Sequence, residues 1–205
     1  MTFEQINRRE SGEDRRLAIA QAARAIIVEK GLEGLRTRDI AARVGINVAT
    51  LHYHVPSKEA LIALVAETMR DDFKAQSARR PRAGKSALER LRLEFGDAIE
   101  LVEDMPELVY LMTELSDRTR RDPVIGAIVK PLYIFWRDQF VEIFTTGLAE
   151  GAFRPDLDPV AAAAIVTGTF ADSWRSQADS PVPLQQVIAE LERAFLLNPV
   201  SSQGR

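Results

Sequence analysis

The chain has 205 residues, 46% of them hydrophobic and 28% charged, enough to fill a core in one domain or in a small domain joined to a larger one. It contains no cysteine, which excludes disulfides, thiolate metal sites and cysteine catalysis. The net charge of -3 excludes a uniformly basic coat but not a local basic face: residues 1–60 carry ten Lys and Arg against eight Asp and Glu, the rest seventeen against twenty-two.

Leu, Ala, Arg and Glu abound while Tyr and Trp are sparse, so the composition predicts an all-α protein of about nine helices. The first twenty residues hold no apolar leader core, and no later run approaches the ~18 apolar residues of a membrane span. The expectation is a soluble, cytoplasmic protein without a membrane partner.

In chain order, Ile19, Ala23, Ile26 and Ile27 recur at helical spacing between Glu13 and Lys30, and Gly31 is expected to end this first helix in a left-handed conformation. Thr37 is placed as the cap of a second helix to Val44, with Ile40, Ala41 and Val44 on one face and Gly45 at its end. Asn47 caps a short third helix to about His54, and Ser57 caps a fourth with Glu59 in its acidic first turn. The segment "SARRPRAGKS", Ser77 to Ser86, reads as a loop with solvated Arg79, Arg80 and Arg82, and marks a junction between domains 1–75 and 76–205. Helices follow at 86–103, 106–119, 122–150, 158–177 and 183–197, the longest bent by Pro131. The first ten or so residues, including Arg8 and Arg9, and the closing "NPVSSQGR" read as disordered.

The spacing of Ala41, Gly45 and Leu51 is that of a helix-turn-helix: a small residue where two helices cross, a glycine able to take positive φ, and an apolar anchor on the next helix. The second helix of such a unit enters the DNA major groove. Asn47 and Thr50 can hydrogen-bond base edges, Val48 and Ala49 suit thymine methyls, and Tyr53 is the aromatic on the same helix. Phosphate anchors are expected at two helix starts, Thr37 with Arg38 and Ser57 with Lys58. His52 and His54 are two apart, about 200° on a helix, with no third ligand beside them, so no metal site is expected.

The stretch "GLEGLRTRDIAARVGINVATLHYHVPSKEALIALV" resembles the N-terminal DNA-binding domain of the tetracycline-repressor (TetR) family of bacterial regulators, over about residues 13–70. A looser similarity continues in "GLAEGAFRPDLDPVAAAAIV". The resemblance implies a homodimer on a palindromic double-stranded operator, a helical regulatory domain and release by a small-molecule effector, here unidentified. The family's usual pattern in the reading helix is Thr-Leu-Tyr, whose Tyr touches backbone phosphate; this chain has His52 there, with less reach, and Tyr53 next to it. His52 is accordingly expected to face DNA and His54 to pack or bond at the end of the helix.

The effector would meet bulky apolar side chains with a few polar ones: Tyr110, Met112, Glu114, Leu132, Phe135, Trp136, Arg137 and Phe140, with Glu114 and Arg137 paired to each other or to the ligand. The same residues also describe an ordinary helical core, and periodicity alone leaves both readings open. Small residues Ala161, Ala164, Ile165, Gly168 and Ala171, with the apolar stripe Leu184, Val187, Ile188, Leu191 and Phe195, predict a four-helix dimer interface. No catalytic residue and no cofactor are predicted, since the chain lacks a nucleophile elbow and a phosphate loop. The rivals are an activator or ligand-independent regulator of the same kind, and a helical binding protein or enzyme with a degenerate reader.

Overall fold

The computed structural model describes residues 12–176 and 182–196. Among them the helices are α1 (Gly12–Lys30), α2 (Thr37–Val44), α3 (Val48–His54), α4 (Lys58–Ala78), α5 (Ala87–Asp104), α6 (Pro106–Thr119), α7 (Pro123–Ala149), α8 (Pro159–Arg175) and α9 (Leu184–Phe195), with a short 3-10 turn at Leu32–Gly34. One isolated antiparallel bridge joins Phe153 to Leu196. The segments expected to be disordered, with Arg8 and Arg9, lie outside the described residues.

Side-chain caps explain most boundaries. Asn47 accepts the Thr50 N–H at 2.7 Å and Ser57 accepts the Ala60 N–H at 3.1 Å. Ser86 and Glu89 form a reciprocal capping box, and Asp122 and Asp158 cap α7 and α8 ahead of a proline in the first turn. Two expectations are corrected. Thr37 is the first helical residue rather than the cap; Arg36 occupies the cap in extended conformation without a side-chain bond. Gly31 has positive φ but ψ of 171°, outside the left-handed helical region, because it leads into the 3-10 turn.

Ile19, Ala20, Ala23, Ile26 and Ile27 of α1 are all but fully buried and gather α2, α3 and α4 into one small core. Behind it, α5, α7 and α8 enclose Phe95, Phe140 and Phe170, with Trp136 stacked on Trp174 at 5.0 Å between ring centroids. A second aromatic group, Phe144, Phe153 and Phe195, closes the far end against α9.

The loop after α4 is not a solvated linker. Arg82 bonds Glu94 at 3.0 Å and also pairs with Asp97; Arg80 pairs with Asp97 and Glu100, and Arg79 with Glu100. Glu94, Asp97 and Glu100 lie on one side of α5, so the loop is stitched to that helix. Burial pushes the Glu94 carboxyl above its usual range, against the opposing pull of the Arg82 guanidinium. Removing the cation from so enclosed a group strands its carboxylates. Arg82→Ala is expected to cost about 2 kcal/mol, less than a fully buried pair because Arg80 still holds Asp97. A thermal melt should then fall by about 4–8 °C. An unchanged melt would show the cluster to be energetically neutral.

Candidate DNA-reading face and effector cavity

Gly45 ends α2 in the left-handed conformation, φ 74° and ψ 32°, and turns the chain so that α3 starts three residues later at an angle to α2. Ala41 and Leu51 are buried at the crossing, 2% and 1% exposed, as helix-turn-helix geometry requires. With Leu51 and Val55 turned inward, the opposite side of α3 is left to solvent: Asn47, Ala49, His52 and Tyr53 are exposed, Tyr53 at 85%, while Val48, Thr50 and His54 are half-buried. His54 stacks edge-on against Tyr53, and its carbonyl accepts a bond from Arg16 at 3.2 Å.

The cations around this face divide into two groups. Arg43 makes a two-pronged bond to Glu29 at 2.8 Å, and Lys30 bonds Asp39 at 2.8 Å, so both are neutralised locally. These bonds hold the Glu29 and Asp39 carboxyls below their usual range. Arg38 and Lys58 are exposed and have no ion-pair partner among the described residues. Thr37 is half-buried beside Arg38. At the start of α4 the nearby backbone N–H of Glu59 and then the Ser57 hydroxyl hold the Glu59 carboxyl below its usual range. That helix start is therefore partly occupied by an internal anion, and Lys58 is its available donor.

A cavity of about 420 Å³ opens between the second half of α4, the loop after it, α5, α6 and α7. Of the side chains expected from the sequence, Met112, Leu132, Phe135 and Trp136 line it. The other four do not. Phe140 is fully buried beneath Trp136, Tyr110 is 42% exposed on another side of α6, and Arg137 faces solvent and bonds Asp138 at 3.0 Å. Glu114 reaches the reader instead, where its Oε1 accepts the Leu32 N–H at 2.8 Å; nearby Arg118 pairs with Glu33. The expected pairing of Glu114 with Arg137 is thus replaced by a strut from α6 to the 3-10 turn.

Sequence reasoning missed Arg70, Phe73, Lys74, Gln76, Tyr133 and Gln139 as cavity residues. Arg70, Phe73 and Lys74 were assigned to the reader, whereas α4 runs unbroken across the expected boundary to Ala78 and its second half walls the cavity. The Tyr133 hydroxyl donates to the Met112 carbonyl at 2.9 Å and braces α7 on α6. Burial pushes the Tyr133 phenol up.

On α8, Ala161, Ala164, Ile165 and Gly168 are exposed and Ala171 half-buried, with Ile165 at 51% and neighbouring Val160 at 59%. On α9 the expected stripe divides. Ile188 and Phe195 are buried inside the chain, at 8% and 2%, and Leu184, Val187 and Leu191 are half-buried. The α9 stripe packs inward because α5, α8 and the Phe144–Phe153 pair take up its aromatic end.

Comparison with known proteins adds an independent line. The model of the bacterial regulatory proteins, tetR family, matches residues 19–65, from α1 into α4. Over 194 residues the chain is 27% identical to the HTH-type transcriptional repressor KstR2 of Mycobacterium tuberculosis, covering 93% of this chain and 94% of the relative. The same repressor from Mycolicibacterium smegmatis is 29% identical over 144 residues, 70% of each chain. The structure of the ketosteroid transcriptional regulator KstR2 of Mycobacterium tuberculosis superposes with a TM-score of 0.66, covering 89% of this chain and 95% of that one. A transcriptional regulator from Saccharomonospora viridis, solved in complex with choline, shares the fold at 20% identity with a TM-score of 0.78, covering 90% and 98% of the two chains. The arrangement, a helix-turn-helix with an open reading face set on a helical body of this layout, is that of a DNA-binding transcriptional regulator, and its residues 19–65 are similar to the DNA-binding part of the TetR family.

Proposed function

We propose that this chain is a homodimeric repressor in which the reader, residues 1–75, holds a palindromic operator until a small molecule enters the cavity of the effector and dimerisation domain, residues 76–205. The observation that carries it is the placement of α4, whose first turn follows the reading helix and whose last turns wall the cavity. One rod therefore links the two events. The repressing sign is taken from KstR2, the repressor that matches over nearly the whole of both chains.

In this reading Asn47, Ala49, Thr50 and His52 approach base edges, Tyr53 reaches the backbone past the shorter His52, and Thr37, Arg38 and Lys58 receive phosphates. Val48 and His54, half-buried, set the tilt of α3. Two such helices bind half-sites about one DNA turn, ~34 Å, apart or a multiple of it. Ligand entry releases DNA to the extent that the ligand binds the displaced position of α4 more tightly than the operator-bound one. The exposed α8 face, continuous from Val160 through Ala164 and Ile165 to Gly168, supplies the contact between copies.

Selection from a random duplex library tests the reading directly. An inverted repeat should emerge, and a protein contacting six or more phosphates should lose roughly 10³–10⁵ in affinity between about 50 and 200 mM salt. Retention without any motif would sink it. The dimer is tested separately: Ile165→Glu places a charge in the α8 contact, so the variant should sediment as a monomer and bind the selected repeat on the order of 100-fold more weakly. A wild-type chain that stays monomeric at micromolar concentration with its repeat present would refute the symmetric arrangement.

A further inference from the structure

We propose that the effector is an anionic amphiphile: a bulky, ring-bearing apolar molecule carrying one carboxylate- or phosphate-class group, which Arg70 and Lys74 of α4 receive. The proposal rests on the reading of the cavity as the effector site and names the chemistry that site selects.

The apolar half of the argument is the wall. Phe73 and Trp136 stack at 6.0 Å between centroids, 25° from parallel, and Trp136 is backed by Trp174 at 5.0 Å. Leu132 and Met112 extend this surface, and Phe135, 55% exposed, stands at the opening. Flat rings held from behind favour a rigid body that can lie against them over a flexible chain.

The charged half is a question of which ionisable groups are already committed. Glu94 and Asp97 line the cavity, but Arg82 holds both and Arg80 also holds Asp97. A cationic ligand would find no carboxylate to itself. Arg70 and Lys74 differ: their ion-pair contacts are Glu67 at 3.9 Å and Asp71 at 3.8 Å, three residues back on the same helix, with every one of these side chains at least half exposed. Contacts at that distance and exposure contribute little and are readily exchanged. Arg70 and Lys74 are one turn apart on the same side of α4, so one anion can meet both. The uncommitted charge of the cavity is therefore positive, and it sits on the helix that carries the reader. An anion bound there pulls on α4 directly, whereas a neutral ligand of the same shape would touch α4 chiefly through Phe73.

The test titrates the full chain with 1-pyrenebutanoate and with 1-pyrenebutanol, the same ring body with and without a charge. Binding is read as loss of tryptophan emission by energy transfer to pyrene; the chain has two tryptophans, both in this stack. The acid should bind at least tenfold more tightly than the alcohol, and in Arg70→Gln/Lys74→Gln its affinity should fall to that of the alcohol. Both replaced side chains are exposed, so the double variant should keep the wild-type melt. Equal affinities for the two probes, weakened alike by the cavity-filling Leu132→Phe, would overturn the anion assignment and leave the cavity reading standing. So would tighter binding of choline, followed through the same emission. Absence of binding by both probes, or binding indifferent to Leu132→Phe, would sink the cavity reading as well.

Discussion

Helix α4 is a single hydrogen-bonded rod of 21 residues, roughly 30 Å long at 1.5 Å per residue, and both its ends are packed. Leu61, Ile62, Leu64 and Val65 seat its first half in the core that α1 organises, while Gln76 near its other end is 4% exposed and donates to the Asp97 carbonyl at 2.9 Å. Arg24 of α1 bonds Asp72 at 2.6 Å and fixes the rod between them. A helix does not shorten or stretch cheaply, so a displacement imposed at the cavity arrives at α3 as a displacement of the same body. The reader's position is in this sense a property of α4 and of whatever holds its far end.

Two further features decide how that end can move. The arginine cluster after α4 ties it to α5 through carboxylates that are mostly enclosed, and pulling the two apart would leave Asp97 and Glu94 buried without a counter-charge. Motion that keeps the loop on α5 avoids that cost; motion that separates them does not. The second hold is α6. It meets the cavity through Met112 and the reader through Glu114 and Arg118, within two turns of one helix. A ligand pressing on Met112 therefore also loads the bond to the Leu32 N–H. The reader is steered from two helices, and a ligand that shifts only one of them works against the other.

Much of this was legible in the sequence, for reasons that can be located. Asn47, Ser57, Ser86, Asp122 and Asp158 are cap residues followed by apolar periodicity, and that local chemistry sets boundaries with little help from tertiary contacts. The open face of α3 was readable because Leu51 fixes which side turns inward. Periodicity gives a face, however, and not the neighbour that the face meets. Glu114 and Met112 sit two apart on α6, one reaching the reader and the other the cavity. Phe140 and Trp136, one turn apart on α7, divide between core and cavity wall. The loop arginines misled because composition says nothing of distant partners, although Glu94, Asp97 and Glu100 recur every three residues and form an acidic ridge that needed cations.

The last helices show how burial narrows a proposed interface. With Ile188 and Phe195 spent inside the chain, the outward side of α9 is left with Gln186, Ala189, Glu190 and Arg193, the last two paired with each other. That surface is largely polar, and its charges are paired. The α8 side is the opposite: Val160, Ala161, Ala164, Ile165 and Gly168 offer apolar atoms and small side chains with nothing charged among them. In the proposed dimer, close approach therefore belongs to α8, and α9 contributes its rim. Because α8 packs on α7, and α7 on α4, a contact centred on α8 places each reader through two helix interfaces from the symmetry axis. A small rotation at either interface changes the separation of the two α3 helices, the quantity on which recognition of paired half-sites depends.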